Sequence, residues 1–332
     1  VILILTNLKL FTSVYKPVDN FLKIYIMEIY NLIIIGSGPA GLTAGIYAGR
    51  ANLNPIIITG NTFGGMTSKL SQIENYPGFP NSISGKSLIN KMKKQAINSG
   101  VTFIKDSIQD FYVLKDKIIL TGEKQTEYHS KSVIFATGIN INRNTIKGLN
   151  DYLGHGVSTC LHCDGPFYKG KKVAVYGNKE NIFEDIKYLS NIAKEVTFIT
   201  PNNNDYSKIL LLKNVKILNN TSILSINGEK NSGFKSIDIQ NNNNNVQSNL
   251  EFDGMFIINK EENNSLLFNN KINLTKNGFA ITNANSCMTN LNGVFVAGDL
   301  KDKNSKQIIN ACASGADAVS EVKKWLIENK KL

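Results

Sequence analysis

The chain has 332 residues, of which 42% are hydrophobic and 19% charged, so it is long enough to bury one large core or two medium ones. This composition excludes a disordered chain and a small domain that depends on disulfides. Lys and Arg together number 37 against 26 Asp and Glu, which gives a formal net charge of +11. A charge of this sign is compatible with acidic partners, among them nucleic acid, an anionic membrane and an acidic protein.

The basic residues are almost all lysines, since only Arg50 and Arg143 are arginines. Together with frequent Ile and with Asn runs such as 241–245, this usage is typical of an AT-rich genome. The net charge therefore has two interpretations, codon drift or a surface for an acidic partner. No stretch reaches the roughly 18 consecutive apolar residues of a membrane span, and no other feature favours nucleic acid or membrane as a partner.

Four cysteines, Cys160, Cys163, Cys287 and Cys312, are too few for a secreted domain of this length that is stabilised by disulfides. We therefore expect a protein of the reducing cytoplasm. Residues 1–26 lack the cleavage pattern of a signal peptide and the arginines of a transit peptide. We interpret them as a poorly ordered extension, with Met27 as the native start.

Two βαβ units follow each other along the chain. The first consists of a strand at 31–35, a glycine turn, a helix at 42–51 and a strand at 55–59. The second has a strand at 173–176, a turn at Gly177, a helix at 181–193 and a strand at 195–200. Further predicted elements are strands at 117–120, 132–135, 215–218, 236–239 and 293–297 and a terminal helix at 306–328.

The turn of the first unit reads Gly36-x-Gly38-x-x-Gly41, between a strand and a helix. In a dinucleotide site the first glycine permits the tight turn, the second lets a pyrophosphate approach the backbone, and the third allows close helix packing. Thr59, at the end of the next strand, stands where an acidic residue commonly holds a ribose, and its hydroxyl offers a weaker contact. The alternative is a glycine-rich turn that binds no dinucleotide.

Cys160-Leu161-His162-Cys163-Asp164 is the second candidate site. Two thiols at this spacing can close a short disulfide ring, and His162 with a helix N-terminus would favour a thiolate. Asp164 could move a proton as the ring opens and closes. The alternatives are half of a zinc site, for which the other two cysteines lack the spacing, and two inert thiols; we expect no metal site.

Gly298-Asp299 follows a predicted strand and precedes the terminal helix. A carboxylate there would lie near the hydroxyl chain of an extended cofactor already held by the first glycine turn. Cys287 and Cys312 are expected to be buried and non-catalytic.

From Met27 to about Leu326 the sequence resembles the low-molecular-weight thioredoxin reductases, a family of flavoproteins. The motifs that carry the resemblance are Gly36–Gly41, Thr59-Gly60, Gly64–Met66, Glu74–Gly78, Ala136–Gly138, Gly156–Gly165, Tyr188–Ala193 and Gly293–Asp299. The resemblance implies an α/β fold of two Rossmann-like, three-layer ββα domains, the second inserted into the first. It implies an FAD domain at 27–142 and 273–332 and a central domain at 143–272 that carries the redox pair.

By the same resemblance, Cys163 would face the flavin, Cys160 would exchange with the substrate disulfide, and Asp164 would be the acid/base group. Met66 and Lys306 replace residues that are usually glutamine and arginine in the family. The residues implied to line FAD are Gly36, Ser37, Gly38, Pro39, Ala40, Gly41, Thr59, Gly60, Gly64, Gly65, Met66, Asn75, Ala136, Thr137, Gly138, Gly298, Asp299, Lys306, Gln307 and Ile308.

The second unit departs from the family at the positions that bind NADPH. The family's Gly-x-Gly-x-x-Ala turn is replaced by Gly177, Lys179 and Ile182, with Glu180 beside them. The family's His-Arg-Arg, which holds the 2′-phosphate, is replaced by 200–202, which is Thr-Pro-Asn. The segment 256–260 also lacks the family's glycine and proline. This pattern resembles the ferredoxin-dependent flavin thioredoxin reductases, in which ferredoxin replaces the nicotinamide.

The sequence therefore predicts an FAD-dependent enzyme that passes electrons through Cys160 and Cys163 to thioredoxin, independently of NADPH and with ferredoxin as donor. The family resemblance also suggests a homodimer. Because a dithiol packed against the flavin cannot reach a protein disulfide, we also expect the central domain to rotate about hinges near 140–144 and 270–275. The alternatives are an ordinary NADPH-dependent thioredoxin reductase, an oxygen-using dithiol oxidase, and a degenerate flavoprotein without turnover.

Overall fold

The computed structural model describes residues 28–139, 146–177, 182–229, 233–258, 267–268, 271–283, 286–301 and 306–332. The predicted extension at 1–26 and the predicted hinge at 140–144 lie outside the described residues, and the second predicted hinge is described only from Lys271 onward. No helix in these ranges is long and apolar enough to span a membrane.

The strands are β1 (Ile29–Ile35), β2 (Ile56–Ile58), β3 (Thr102–Ile104), β4 (Ile108–Val113), β5 (Ile118–Gly122), β6 (Glu127–Phe135), β7 (Val157–Ser158), β8 (Lys172–Gly177), β9 (Glu195–Ile199), β10 (Val215–Leu218), β11 (Thr221–Glu229), β12 (Gly233–Asn241), β13 (Gln247–Glu251), β14 (Gly254–Ile258) and β15 (Val294–Val296). The helices are α1 (Pro39–Arg50), α2 (Gly85–Asn98), α3 (Leu149–Tyr152), α4 (Leu161–Asp164), α5 (Ile182–Ser190), α6 (Ser207–Leu210) and α7 (Ile308–Glu328). Single 3₁₀ turns lie at Gly65–Lys69, Gly165–Tyr168 and Gly298–Leu300.

The first sheet has the order β3-β2-β1-β6-β5-β4, with β15 paired to β6. Its strands β3, β2, β1, β6 and β15 run parallel, whereas β5 and β4 join as an antiparallel extension. The centre of β1 is apolar because it is buried on both faces: Leu32 and Ile34 pack on one side with α1, α2 and α7, and Ile33 and Ile35 on the other with Phe111.

The second sheet, in the order β10-β9-β8-β14-β7, is entirely parallel, and an antiparallel sheet β11-β12-β13 accompanies it. The prediction of an α/β fold with two Rossmann-like units is confirmed. The first sheet takes β1 to β6 from the chain before the other two sheets begin. It takes β15, which pairs with β6, from the chain after they end. The domain boundaries near 142 and 273 remain predictions.

Several predicted elements differ from the observed ones. Helix α2 was not predicted, although Ser84 caps it and Leu88, Ile89, Met92 and Ala96 form its buried face. Helix α5 ends at Ser190 rather than at 193, because the amides of 191–193 fold back onto Tyr188 and Leu189 in a closing turn. Strand β11 was also missed.

The first sheet positions the candidate site at one edge. The amide of Gly36 donates to Ile58, that of Ala136 to Ile35, and that of Ala297 to Phe135. The loops that follow β1, β6 and β15 are therefore tied to the carboxyl ends of neighbouring strands. Parallel strands bring these loops together, and this edge is where open α/β sheets bind ligands.

Candidate active site

One cleft of about 1110 Å³ lies between the loops at the carboxyl edge of the first sheet and the turn that carries the two cysteines. It is larger than the range of about 300–1,000 Å³ typical of small-molecule pockets, so it has room for an extended ligand. All residues predicted for the site line this cleft except Gly41 and Gly64. Predicted site residues from four separate parts of the sequence, within 36–75, 136–138, 160–164 and 298–308, therefore meet there.

The glycines of the first turn have the conformational roles predicted for them. Gly36 has a φ of +112°, and a Cβ there would collide with the carbonyl oxygen of Ala136. A Cβ at Gly41 would collide with the carbonyl oxygen of Gly36, so this glycine permits the close packing of α1 on the turn. A Cβ at Gly38 would meet only the carbonyl oxygen of Gly64, at 4.0 Å, so the backbone here is open to the cleft.

Two side chains of the turn region are used within the protein. Ser37 is 2% exposed; its hydroxyl donates to the carbonyl of Thr59 at 2.9 Å and accepts the amide of Gly64 at 3.1 Å. The Thr59 hydroxyl, which we expected near a ribose, donates to the carbonyl of Gly60 at 3.0 Å. Both hydroxyls fix the shape of the cleft wall, and the ribose contact of Thr59 stays a prediction.

Cys160 and Cys163 form a disulfide at the short helix α4. The Sγ atom of Cys160 accepts the backbone N–H of Cys163 at 3.2 Å, and the hydroxyl of Ser158 accepts the backbone N–H of Cys160 at 3.0 Å. These two bonds hold the ring of the disulfide against β7. Both cysteines are half-buried and line the cleft.

The two ionisable neighbours of the disulfide have different surroundings. His162 is exposed, with its Nε2 atom 3.6 Å from an oxygen of Asp185 and its ring 4.4 Å from that of Tyr188. Burial raises the pKa of the Asp164 carboxyl, and a hydrogen bond with Ser158 partly opposes that shift. A raised pKa suits a carboxyl that holds and releases a proton during the reaction.

Gln307, at the start of α7, reaches the disulfide with its side-chain amide. Its Nε2 atom lies 3.3 Å from Sγ of Cys163 and 3.9 Å from Sγ of Cys160. The Nδ2 atom of Asn75 donates to Oε1 of Gln307 at 3.0 Å. Two residues predicted to line FAD thus contact each other, and one of them, Gln307, also contacts the redox pair.

Lys306 and Asp299 also line the cleft; Lys306 lies just before α7, and Asp299 lies in the 3₁₀ turn at Gly298–Leu300. The ammonium group of Lys306 donates to the carbonyls of Asp299 at 2.8 Å and Lys301 at 3.1 Å, and lies 3.9 Å from the centre of the Phe279 ring. Lys306 therefore ties the start of α7 to the 3₁₀ turn at Gly298–Leu300. Phe279 was not predicted as a site residue.

The comparisons with known proteins agree with this geometry. Residues 30–315 match the family described as pyridine nucleotide-disulphide oxidoreductase. A thioredoxin reductase from Rickettsia bellii is 36% identical over 302 residues, which are 89% of this chain and 97% of the relative. A thioredoxin reductase from Dictyostelium discoideum is 34% identical over 314 residues, with 90% and 98% covered.

Among solved structures, thioredoxin reductase from Streptococcus pyogenes superposes with a TM-score of 0.84 at 29% identity, over 90% of this chain and 99% of that one. The chain belongs to the thioredoxin reductases. It is therefore an FAD-dependent disulfide oxidoreductase, as its sequence predicts.

The cleft of this thioredoxin reductase fits FAD on two structural observations. Added Cβ atoms at Gly60 and Gly138 would meet nothing within 4 Å, so with Gly38 they present bare backbone to the cleft. The hydroxyl of Thr137 is buried and has no hydrogen-bond partner among the described residues, and it too lies at the cleft. A bound dinucleotide would lie against the open backbone and would give the unpaired hydroxyl a hydrogen-bond partner.

The described residues of the second unit do not fit NADPH in the same way. Ile182, at the start of α5, is 3% exposed and belongs to the core under β8. Thr200 is fully buried, and its hydroxyl accepts the amide of Asn202 at 3.3 Å. The stretch 200–206 contains no Lys, Arg or His to pair with a 2′-phosphate. Lys179 and Glu180 lie outside the described residues.

Cys287 and Cys312 are buried, as predicted, at 2% and 7% exposure, and neither is part of a disulfide. Cys287 lies under Lys301, whose ammonium group is 3.5 Å from its sulfur. Cys312 lies 3.6 Å from the Tyr76 hydroxyl. Both contacts belong to the core around α7.

Proposed function

We propose that this thioredoxin reductase reduces the disulfide of thioredoxin through Cys160 and Cys163, with electrons that reach the pair from FAD. The observation that carries the proposal is that the Cys160–Cys163 disulfide lines the same cleft as the glycine turn that begins at Gly36. A disulfide that forms one wall of a dinucleotide cleft is placed for electron exchange with the group bound there.

The proposed roles of the residues differ. FAD, when bound, supplies a two-electron carrier. Cys163 is the sulfur that faces it, and Cys160 attacks the thioredoxin disulfide, which forms a mixed disulfide that Cys163 then resolves. The exchange leaves thioredoxin with two thiols and restores the Cys160–Cys163 bond. Asp164, with its raised pKa, takes or gives the proton at the pair.

The half-buried state of both cysteines supports a movement of the central unit in each cycle. A disulfide that lines a cleft cannot meet the disulfide of another protein without leaving it. We therefore propose that the unit bearing β7–β14 rotates relative to the first sheet, about the predicted hinges near 140–144 and 270–275.

Replacement of Cys163 by serine tests the assignment. Cys163→Ser should still bind flavin but reduce no thioredoxin, because a single thiol can form the mixed disulfide and cannot resolve it. The measurement is thioredoxin-dependent reduction of a chromogenic disulfide, with flavin content read from the visible spectrum. Cys287→Ala, which removes a buried thiol outside the pair, is the matched control and should keep turnover; turnover by Cys163→Ser would overturn the proposal.

We further propose that the electron donor is ferredoxin rather than NADPH. The absence of a cation from 200–206 and the buried Ile182 at the start of α5 support a donor other than NADPH. The description of the family as pyridine nucleotide-disulphide oxidoreductase supports the NADPH alternative. The net charge of +11 would attract an acidic protein donor.

An anaerobic titration separates the two donors. Reduced ferredoxin should bleach the visible flavin band, whereas NADPH and NADH at micromolar concentration should not. Rapid bleaching by NADPH would overturn the ferredoxin proposal and leave the thioredoxin reductase assignment intact. Repetition of the ferredoxin arm at rising ionic strength should slow the bleaching; an unchanged rate would assign the charge to codon drift.

A further inference from the structure

We propose that Gln307 is a positioning residue that holds Cys163 in the cleft and stabilises its thiolate after the disulfide is reduced. The inference rests on the proposed function in one respect, that Cys160 and Cys163 are the redox pair. It goes further by assigning a different hydrogen-bond donor to each of the two sulfurs, and by placing only one of those donors on the central unit.

The distances assign the donors. Sγ of Cys160 accepts the backbone N–H of Cys163 at 3.2 Å, which is a bond within the turn itself. Sγ of Cys163 lies 3.3 Å from Nε2 of Gln307, which is 144 positions away and begins the helix that packs on the first sheet. Nε2 is farther from Cys160, at 3.9 Å.

The amide of Gln307 is oriented for this contact. Gln307 occupies the N-cap position of α7, yet its side chain makes no capping bond to the helix. The Nδ2 atom of Asn75 donates to Oε1 of Gln307 at 3.0 Å, so the NH₂ group of Gln307 is the end that faces the sulfurs. Asn75 thus selects which end of the amide meets Cys163.

Reduction strengthens the contact. Two electrons and one proton break the S–S bond and give a Cys160 thiol and a Cys163 thiolate. A thiolate accepts an N–H bond more strongly than a neutral disulfide sulfur does, because the bond becomes charge-assisted. The Gln307 amide therefore lowers the pKa of Cys163 relative to a site without that donor.

The two sulfurs then differ once the unit moves. The donor to Cys160 travels with α4, whereas the donor to Cys163 stays with α7. In the cleft the negative charge is favoured on Cys163; away from the cleft only Cys160 keeps its donor, and Cys160 is the proposed attacking sulfur. The geometry thus makes the site of the thiolate depend on the arrangement of the two units.

Substitution of Gln307 leaves the charged groups around the cleft unchanged, so it isolates the effect of the Gln307 amide. The titratable groups that line the cleft near the pair, besides His162, are Lys69, Glu74, Asp164, Asp185, Asp299 and Lys306. Gln72 lines the same cleft, and its amide donates to Glu74 at 2.5 Å rather than to sulfur. Gln72→Met is therefore a matched control for Gln307→Met.

The test measures the pKa of each cysteine by its alkylation rate. Full-length Cys160→Ser protein, treated with a phosphine reductant, is alkylated with iodoacetamide across a pH series, and modification of Cys163 is followed by peptide mass spectrometry. We expect Gln307→Met to raise the pKa of Cys163 by about one unit, which slows alkylation near neutral pH about tenfold. Gln72→Met should leave the pKa of Cys163 unchanged.

The reverse background tests the difference between the sulfurs. In Cys163→Ser protein, Gln307→Met should not move the pKa of Cys160. An equal shift at both cysteines, or the same result for Gln307→Met and Gln72→Met, would overturn the inference. Asn75→Leu, which releases the amide without removing it, should give a smaller shift in the same direction as Gln307→Met and serves if Gln307→Met does not fold.

These readouts are independent of turnover. If the wild-type protein reduces no thioredoxin, the proposed function fails while the alkylation comparison still reports on Gln307. If the wild-type protein turns over and the pKa of Cys163 does not respond to Gln307→Met, the inference alone fails.

Discussion

Asp164 shows how one residue can be stabilising at one pH and costly at another. Its carboxyl follows the redox cysteine directly, and burial raises its pKa above the ordinary value of 3.8. The folded protein therefore favours the protonated form more than the unfolded chain does. Stability from this group is fully present below the unfolded pKa and is lost as the pH rises through the folded pKa.

Asp164→Asn should change this pH dependence in a defined direction. The amide mimics the protonated acid, so the variant should not lose stability as the pH rises. We expect its melting temperature, relative to that of the wild type, to increase between pH 4 and pH 8. Its thioredoxin reduction should fall, because an amide cannot act as the acid or base that transfers the proton.

Melting curves and turnover measured on the same two proteins check both parts. A difference in melting temperature that stays constant across the pH series would show that burial does not penalise the charged carboxyl. Unchanged turnover would remove Asp164 from the proton transfer.

At the scale of elements, the packing of α7 on α1 sets the cleft. A Cβ at Gly315 of α7 would collide with the carbonyl oxygen of Ala40 in the first turn of α1. The amide of Gly298 also donates to the hydroxyl of Ser314 on α7, at 3.1 Å. The same helix that carries Gln307 thus holds the N-terminus of α1 and the loop after β15 in place.

Gly315→Val should therefore weaken both the fold and cofactor retention. The added atoms meet backbone rather than a flexible side chain, so we expect a loss of about 1–3 kcal/mol in the free energy of unfolding. Urea titration measures the loss, and the visible spectrum measures flavin content.

Ala313→Val is the control on the same helix, since Ala313 is exposed and the change there costs only helix propensity, under about 1 kcal/mol. If the two variants unfold at the same urea concentration, the contact between α1 and α7 is not the reason for the glycine.

The second nucleotide-type unit has a regular scaffold, which does not depend on the positions that differ from the family's NADPH turn. Strand β8 pairs with β9 and β14 in a regular parallel register, and Ile182, Ile186 and Leu189 of α5 pack on them. Burial of these apolar residues stabilises the unit with or without a nucleotide. The regular fold of this unit is therefore no evidence for or against a bound nucleotide.

For the molecule as a whole, the path of the chain joins residues that are far apart in sequence. The first sheet is built before and after the segment that forms the other sheets, and β15 returns beside β6. That return places the start of α7 against the disulfide of the central unit. The cleft is therefore made of both units, and neither one forms it alone.

The net charge of +11 is also a property of the whole molecule. The basic residues that give this charge are nearly all lysines. If it steers an acidic donor or thioredoxin, it does so as a long-range field, which salt screens within about 10 Å at 0.1 M. The donor titration at rising ionic strength tests this long-range attraction.

Local sequence was sufficient where local physics decides the conformation. The glycine turn, the buried strand β1 and the ring of two cysteines follow from spacing and residue type, because a tight turn, a two-faced strand and a short disulfide each need particular neighbours in the chain. The buried state of Cys287 and Cys312 followed in the same way. Helix α2 also has a local signal, in the N-cap Ser84 and in the spacing of its apolar residues.

Only the tertiary structure decided which distant side chains meet. No spacing predicts that Gln307 reaches Cys163, that Asn75 orients Gln307, or that Lys306 lies on Phe279. It also decided that the hydroxyls of Ser37 and Thr59 bond to the protein's own backbone. Sequence fixes which groups exist and how each short segment folds, whereas contacts between separate units depend on packing that no local pattern records.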